Sequence, residues 1–523
     1  MLKEYLRRKN FRRLLAQLRG AKKLRNQSNP YFVLDIIRDL ANINLGLTSS
    51  DFPKIFVGAH RGKSEVLLRQ LLLSNSSKMY SAVFQSFGCG KPIMLPLPSS
   101  WRNYLSDNGL FFSNLFCQFL LIFSSINQTL RGLFKFFQII ISSRRLKNSD
   151  APYSAFLNLD QNSLPSSGLK NSYDIISWYK KSIIFNTQEK NIWAQAVVDK
   201  EYQIPDDLII SRSIFPRLDS SFKYLKFIFN VFCSIIVCLF GILRGKWWYG
   251  YLFNQSVLYS YFCQLATNRL PKNYFFSFSD YLCRPLWTYE AEMMGCSVMM
   301  YTYSGNMIDF FRNENKQNSE FIGSDFITWN YFLVWDEDQK SLLKRFCPNA
   351  KYQIVGVIGL SDSESELIIS SKKFKIAIFD VSPIRMTTYT ALGSIEPPYY
   401  SIELSLKFFR DIVSAFCAEN VELLWKQKRK HDRHRINKGF YKKRDNILKG
   451  KVEVVDPDIS AIRLIKNCDA VISMPMTSTS TIGKLYGKPS IYYDAFGNLD
   501  RNLSNDIQIL KTTNEIKEWF NSL

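Results

Sequence analysis

The stretch that decides the fold is Cys468–Asp494, which reads CDAVISMPMTSTSTIGKLYGKPSIYYD. Its short apolar run Val471–Met474 predicts a buried strand, which Pro475 ends because proline has no N–H for the ladder. Helical spacing over Ile482–Tyr486 is followed by a Gly-Lys-Pro stop signal, and Ser490–Tyr493 predicts a second strand. The stretch therefore predicts one strand–helix–strand unit of a parallel α/β sheet.

The loop between this strand and this helix is filled with hydroxyl residues. They are Thr477, Ser478, Thr479, Ser480 and Thr481. Open α/β sheets bind ligands beyond the carboxyl ends of their strands, and a helix N-terminus offers free N–H groups to an anion. One N-cap needs fewer hydroxyls than this, so the loop favours a phosphate-type site. A plain N-cap with a solvated loop is the alternative.

Residues 473–494, SMPMTSTSTIGKLYGKPSIYYD, resemble the donor domain of GT-B glycosyltransferases of bacterial surface-polysaccharide synthesis. They look most like the Ser-Ser/Thr motif of sialic acid and Kdo transferases, which use CMP-activated acidic sugars. The resemblance is confined to the C-terminal part of the chain. It implies that Thr477, Ser478, Thr479 and Ser480 hold the donor phosphate. It also implies two Rossmann-like domains facing across a cleft, with no catalytic metal.

Composition bounds the class of protein. The 523 residues suffice for two or more domains, and the net charge of +23 with 15% aromatic residues suits an anionic partner or a membrane surface. The ten cysteines form no CxxC pair, which indicates reduced thiols of a cytoplasmic protein. Only three histidines are present and no DxD-like motif stands out, so we expect no metal site and no cofactor.

The N-terminal region predicts contact with a membrane. Residues 1–25 carry ten Lys or Arg against one Glu, with Leu and Phe at helical spacing, which is typical of a basic amphipathic helix on an anionic bilayer. A transit peptide or a solvated helix remains an alternative. We expect a cytoplasmic protein that is peripheral on the inner face of the plasma membrane. Ile55–Ala59 predicts a strand leading into the basic turn 60–63, which is either a surface loop or a phosphate contact.

Two further apolar segments have more than one interpretation. Residues 110–126 and 134–141 are either a membrane-dipping helical hairpin or a buried core helix. Phe227–Leu243 is 17 residues without a charge, bracketed by Lys and Arg and followed by Trp247 and Trp248. These flanks favour an interfacial or re-entrant helix, and a true membrane crossing is the alternative.

The order of the predicted elements indicates the domains. Asn148–Lys170 is rich in Asn, Ser, Pro and Gly and predicts a linker. Strands and helices alternate from Asn273 onward, which predicts doubly wound parallel sheets. We predict an α/β protein with two Rossmann-like domains and a helical, basic, membrane-associating N-terminal region. The expected boundaries are 1–150 for that region, 151–360 for the first domain with an apolar insertion at 223–249, and 361–523 for the second domain.

Cations that follow the predicted strand Val421–Trp425 are the next candidates for donor phosphate. Lys426, Lys428 and Arg429 stand at its carboxyl end, where positive charge stabilises a departing nucleotide. Sialic acid and Kdo transferases commonly have a His-Pro pair near this point, and this chain has Gln427-Lys428-Arg429 instead. A solvated basic helix or a nucleic-acid patch is the alternative.

The remaining candidates concern the nucleotide and the catalytic base. Ser382 and Arg385 follow the predicted strand Lys375–Phe379 and are candidates for nucleotide contact, with a turn built on a structural proline as the alternative. Asp494 ends the last strand of the opening stretch, where it either caps the final loop or contacts the nucleoside. An inverting transferase needs a base for the acceptor hydroxyl. Asp280, at the end of another strand, is the first candidate, and Glu290 and Asp309 are poorer ones.

These features together predict a glycosyltransferase. Its partners would be a nucleotide-sugar donor, a glycan or lipid-linked acceptor and an anionic membrane surface. A non-catalytic scaffold of a polysaccharide assembly complex is the rival. A nucleic-acid-binding protein is suggested by charge alone, and the sequence contains no recognisable readout module for it.

Overall fold

The structure is a computed structural model. It describes residues 23, 32–74, 76–143, 153–165, 174–189, 191–278, 283–302, 327–359, 373–383, 399, 401–417, 419–427, 438–457, 459–475, 477–501 and 507–523. The predicted basic helix 1–25 lies outside these residues apart from Lys23. The predicted boundaries at 150 and 360 also fall outside them.

The strands of the described residues form two parallel sheets. They are β1 Tyr153–Leu159, β2 Asn191–Ala196, β3 Leu208–Ser211, β4 Asn273–Ser277, β5 Ser297–Tyr301, β6 Tyr331–Val334, β7 Lys351–Ile354, β8 Phe374–Phe379, β9 Val421–Lys426, β10 Glu453–Val455, β11 Ala470–Ser473, β12 Ser490–Tyr493 and β13 Gln508–Leu510. The first sheet has the order β3-β2-β1-β4-β5-β6-β7 and the second has β10-β9-β8-β11-β12-β13. In each sheet the chain starts at the centre, builds to one edge, returns and builds to the other, which is doubly wound topology. The predicted α/β class with two such sheets is confirmed.

Some helices connect the strands, and those between residues 32 and 143 pack with those between 221 and 262 in a separate helical layer. They are α1 Phe32–Asn42, α2 Lys54–Val57, α3 Arg61–Leu73, α4 Ser76–Cys89, α5 Ser99–Asp107, α6 Asn114–Ser143, α7 Ile175–Lys181, α8 Ser221–Leu243, α9 Trp248–Phe262, α10 Trp287–Met293, α11 Glu337–Phe346, α12 Ile402–Ala415, α13 Lys438–Leu448, α14 Ala461–Lys466, α15 Thr479–Leu485 and α16 Thr513–Asn521. One buried cluster joins the helices between residues 33 and 139 with the first sheet. A second cluster contains side chains from both sheets, so the two α/β units share buried surface.

The predicted linker Asn148–Lys170 is wrong, because it contains β1. This strand lies at the centre of the first sheet, paired with β2 and β4, and all five side chains of Tyr153–Leu157 are buried. The sequence concealed it because Ser154 and Asn158 interrupt the apolar run. Ser154 is buried with its hydroxyl 2.8 Å from Tyr179 Oη, and Asn158 has a φ of 55° where the register shifts between Phe156 and Leu159.

The predicted strand Ile55–Ala59 is also wrong. Residues Lys54–Val57 form a short helix that starts directly after Pro53, a residue well suited to a helix start. Phe56 and Val57 are fully buried in the cluster of the helical layer. Tertiary burial therefore overrides the β preference of Ile, Phe and Val. The basic turn 60–63 becomes the start of α3, with His60 as its N-cap residue.

The apolar segments 110–126 and 134–141 belong largely to one continuous helix, α6, and do not form a hairpin. Phe227–Leu243 lies within α8, which is long and apolar enough to cross a membrane by length and composition. Between them lies α9, most of whose side chains are buried. Glycines permit this close contact, because a Cβ at Gly250 would meet Ser125 and a Cβ at Gly241 would meet the Tyr249 ring.

Candidate functional site

Three predicted segments meet at the carboxyl edge of the second sheet. The loop from Asp380 follows β8, Gln427 follows β9, and Met474, Pro475 and Thr477 follow β11. Because β8 pairs with both β9 and β11, these loops leave the sheet side by side. The chain reverses its strand order between β8 and β11, which is the topological switch point where such sheets bind ligands. The half-buried Ser382 lies in the first of these loops.

The hydroxyl loop after β11 is closed by its own side chains. Thr477 Oγ1 donates to the Met474 carbonyl at 2.8 Å, and Thr479 Oγ1 donates to Thr477 Oγ1 at 3.2 Å. The Ser473 and Thr479 hydroxyls lie 2.7 Å apart. Tyr492 Oη donates to the Thr477 carbonyl at 3.0 Å. The loop is therefore held in one conformation by a connected series of hydrogen bonds.

The consecutive hydroxyls point in different directions. Ser480 is fully buried and donates to the Ile491 carbonyl at 2.7 Å, so it joins α15 to β12. Ser478 is the N-cap residue of α15, is half-buried, and makes no side-chain cap hydrogen bond. Ser478 is therefore the predicted hydroxyl that the local geometry leaves available to a ligand. The structure uses the hydroxyls of Thr477, Thr479 and Ser480 within the protein.

The predicted cations are only partly described. Lys426, the last residue of β9, is buried, and its Nζ lies 3.4 Å from the Gln427 carbonyl and 3.5 Å from the Pro457 carbonyl. An ammonium at the carboxyl end of β9 places positive charge near the switch point. Lys428, Arg429 and Arg385 lie outside the described residues.

A second buried cation near this edge was missed by sequence reasoning. Arg444 on α13 stacks on the Trp425 ring at 4.8 Å and forms an ion pair with Asp445 at 2.5 Å. The indole Nε1 of Trp425 donates to Asp380 Oδ1 at 3.0 Å. The acid after β8 and the aromatic residue of β9 are thus fixed together. The only sequence signal for Arg444 is its place in the basic segment 421–451.

Asp494 closes the loop after β12. It is fully buried, and its carboxylate accepts hydrogen bonds from Tyr399 Oη at 2.7 Å, Phe496 N at 3.0 Å and Leu499 N at 2.8 Å. Burial and then the neighbouring Asp494 charge raise the pKa of Tyr399 far above its ordinary value. The phenol is therefore a donor to this carboxylate, and the contacts assign Asp494 to holding the loop.

The first α/β unit approaches the hydroxyl loop through the residues after β6. Burial raises the pKa of Tyr492 to about 12, with further contributions from the charges of Asp336 and Asp338. Asp336 is the N-cap of α11, accepting from Gln339 N at 2.8 Å. Trp335 after β6 and Ile482 of α15 belong to one buried cluster, and Tyr492 contacts Thr477, so the carboxyl edge of the first sheet lies near the switch point of the second.

Two described acids of the first unit, Glu290 and Asp174, are engaged by neighbouring residues. Glu290 Oε2 lies 3.0 Å from His60 Nε2 and 3.2 Å from Tyr259 Oη, which joins α10 to α3. Sequence reasoning missed this pair, since 230 residues separate its members. Burial raises the pKa of Asp174, an acid at the start of α7 that was also missed. Asp280 and Asp309 lie outside the described residues. Among the described His, Cys, Asp and Glu residues, no group of three or more is placed to hold a metal ion.

Comparison with protein families gives one match. The sequence pattern of the family described as "Polysaccharide biosynthesis PFTS motif protein" matches residues 224–520, more than half of the chain. The matched region begins in α8 and includes the switch point of the second sheet. Among curated proteins, none matches the chain.

Several solved structures resemble the chain at a low level. They include E. coli trehalose-6-phosphate synthase bound with UDP-2-fluoro glucose (10% identity, 71% of this chain and 90% of that chain, TM-score 0.37). Anabaena HepE in complex with UDP-glucose is 10% identical, with 71% of this chain and 89% of that chain covered and a TM-score of 0.37. The UDP-GlcNAc 2-epimerase from Methanocaldococcus jannaschii is 12% identical, with 71% of this chain and 92% of that chain covered and a TM-score of 0.35. Similarity at this level assigns no function.

Proposed function

We propose that this chain, which belongs to the polysaccharide biosynthesis PFTS motif family, is a glycosyltransferase that moves a sugar from a nucleotide donor to a growing polysaccharide or its lipid-linked carrier. One observation carries the proposal. The loops after β8, β9 and β11 converge at the switch point of a doubly wound sheet, with a hydroxyl and a cation among them. Such a position suits the phosphate of a nucleotide.

The chemistry of transfer requires stabilisation of a departing nucleotide phosphate. Ser478 supplies a hydroxyl without an internal cap bond, and Lys426 supplies positive charge at the neighbouring strand end. Both act where negative charge develops as the glycosidic bond to the nucleotide breaks. The hydrogen bonds of Thr477 and Thr479 keep the loop in place, so less reorganisation is needed during reaction.

The donor is, in our proposal, an acidic sugar activated by CMP. The support is the resemblance of residues 473–494 to the Ser-Ser/Thr motif, together with twelve Lys or Arg between residues 421 and 451. A sugar carboxylate adds one negative charge to that of the phosphate, and this excess of cations suits both. The reaction requires no metal in this scheme. Asp280 remains the first candidate for the base that takes the proton of the acceptor hydroxyl.

A non-catalytic scaffold of the same assembly is the second candidate function. The observation that favours it is the internal use of Thr477, Thr479, Ser480 and Asp494. In a scaffold the loop would serve only to connect β11 with α15. The two functions differ in whether the second sheet binds a nucleotide.

A thermal-shift experiment with CMP and UDP separates these functions. A nucleotide present at ~100 times its Kd stabilises the protein by about 2.7 kcal/mol, which raises the melting temperature measurably. The variant Ser478→Ala removes one hydrogen bond to a charged group, so we expect nucleotide affinity to fall about tenfold to a hundredfold. Its melting temperature without nucleotide should be unchanged, because the Ser478 side chain makes no cap bond.

The matched control is Ser480→Ala, two residues further along. Its hydroxyl faces the interior, so this variant should melt at a lower temperature and retain nucleotide affinity. If neither CMP nor UDP raises the melting temperature, the glycosyltransferase proposal is wrong and the scaffold function is favoured. Equal losses of affinity in the two variants would show that Ser478 has no direct role.

A further inference from the structure

The two longest helices of the helical layer expose one continuous apolar surface, which we call the apolar face. Seventeen large hydrophobic side chains are exposed along α6 and α8. On α6 they recur at intervals of three or four residues from Leu115 to Ile141, and on α8 from Phe222 to Leu243. This spacing places each set on one side of its helix.

The contacts between the helices show that both sets point the same way. The helices run antiparallel, because the Phe136 ring lies 5.5 Å from the Phe227 ring while Thr129 Oγ1 lies 3.4 Å from Cys238 Sγ. Both pack on α9, with Ser124 Oγ 2.6 Å from Tyr251 Oη on the α6 side. On the α8 side, Gly241 lies against the ring of Tyr249, which belongs to α9. Since α9 covers the inner surface of the pair, the exposed surfaces form the outer side of the layer.

The size of the apolar face exceeds what a free soluble surface carries. A half-exposed Phe or Leu shows about 100 Å² of apolar surface, so seventeen such residues present roughly 1,700 Å². The largest apolar patch on a typical monomer is about 300–600 Å². Hydrophobic transfer therefore drives the apolar face to a partner of matching extent.

Charge around the apolar face identifies the partner. Neither α6 nor α8 contains an Asp or a Glu. Lys226 and Arg244 are exposed near the two ends of α8, and Arg131 is exposed beside the apolar side of α6. The half-buried Trp247, with its ring 5.8 Å from that of Trp248, follows at the end of α8. Apolar surface with cations and tryptophans at its border suits a bilayer with anionic headgroups.

We propose that the apolar face inserts into one leaflet of an anionic membrane, with α6 and α8 lying in the plane of the bilayer. The 23 residues of α8 are long enough to cross the hydrocarbon region. A crossing would nonetheless strip Val231, Ser234 and Cys238 from their contacts with the protein, where they are buried. The in-plane arrangement keeps these contacts and buries only the exposed side. No residue of the second sheet takes part in this membrane contact, which is separate from the proposed glycosyl transfer.

Flotation of the full-length protein with phosphatidylcholine vesicles containing phosphatidylglycerol tests the proposal. The double variant Phe229→Gln/Phe232→Gln removes two exposed aromatic groups from the apolar face and keeps residues that favour a helix. We expect the wild type to float with these vesicles more than with neutral ones. The double variant should partition about tenfold less or weaker still, because two large apolar groups no longer enter lipid.

The matched control is Ile183→Gln/Leu485→Gln, whose side chains are 78% and 55% exposed outside the apolar face. It should float like the wild type. Phe119→Gln/Phe134→Gln on α6 is a second test pair, should the first reduce the content of folded protein by circular dichroism. Unchanged flotation of both test pairs overturns the proposal. A wild type that does not float, but forms a dimer that the test variants dissociate, also overturns it and makes the apolar face an interface between copies.

Discussion

Replacement of Gly250 by alanine tests how the helical layer is held together. A Cβ at this position of α9 would lie 2.2 Å from the carbonyl oxygen of Ser125 and 2.4 Å from its Oγ. Contacts shorter than about 3 Å are not tolerated between such atoms, so α6 and α9 must separate by about 1 Å. Because the nearest atom belongs to the backbone, no change of side-chain rotamer relieves the clash.

The expected loss of stability follows from two opposing contributions. Overpacking a close helix contact costs about 1–3 kcal/mol, and the upper end applies where backbone must move. Alanine is a better helix former than glycine by about 1 kcal/mol, which offsets part of this cost. We therefore expect Gly250→Ala to reduce the free energy of unfolding by about 2 kcal/mol.

The assay is urea unfolding followed by circular dichroism, with Gly62→Ala as the matched control. Gly62 is also helical, in α3, but a Cβ there would meet no atom within 4 Å. That substitution should leave stability unchanged or raise it by up to about 1 kcal/mol. A second substitution, Ser125→Gly, should not rescue Gly250→Ala, since it leaves the carbonyl oxygen in place. A Gly250→Ala protein as stable as the wild type would refute the close contact.

Three further predictions concern buried polar groups and a helix cap. Burial raises the pKa of Glu189 above its ordinary value of 4.5, although Tyr179 donates to its carboxylate. The folded protein therefore binds that proton more tightly, and stability is lost as pH rises above 4.5. Glu189→Gln should melt above the wild type at pH 7.5, with the difference vanishing near pH 4; a constant difference across pH would contradict this. Arg284→Lys should cost about 2 kcal/mol in urea unfolding, because a lysine cannot reproduce the three guanidinium hydrogen bonds or the stacking on Tyr289 at 4.1 Å. Ser401→Ala should cost about 1 kcal/mol, because the Ser401 hydroxyl accepts from Leu404 N at the start of α12, whereas Ser401→Asp should retain stability in the same assay.

The second α/β unit was largely predictable because its strands are short apolar runs bounded by polar turns. The predicted strand Ser490–Tyr493 coincides with β12, and the predicted Val421–Trp425 differs from β9 by one residue. The strands of the first unit were harder to predict from the sequence. Its β2 reads NIWAQA and pairs on both sides, yet its Asn and Gln dilute the apolar signal. Burial of such a strand depends on neighbours far away in the chain, which periodicity alone does not reveal.

Prediction of the candidate site from the sequence has a different limit. The sequence placed a hydroxyl-rich loop at a strand end, and the structure places that loop at the switch point. Which hydroxyl faces a ligand depends on the first turn of α15, where Ser478 and Ser480 lie roughly 200° apart around the axis. The residue types in the loop do not reveal which side of α15 each hydroxyl faces. The His60–Glu290 pair could not be predicted from the sequence, because only the packing of α3 on α10 brings the two side chains together.

The position of α9 constrains how the chain matures during synthesis. The long helix α6 is complete by residue 143, but the surface that covers its inner side emerges only with residues 248–262. Until then a nascent chain carries the inner side of α6 uncovered as well as the outer side, more than a hundred residues ahead of the helix that covers it. Chains released before residue 262 should therefore aggregate or bind chaperones, whereas chains extended past the first sheet should be protease-resistant.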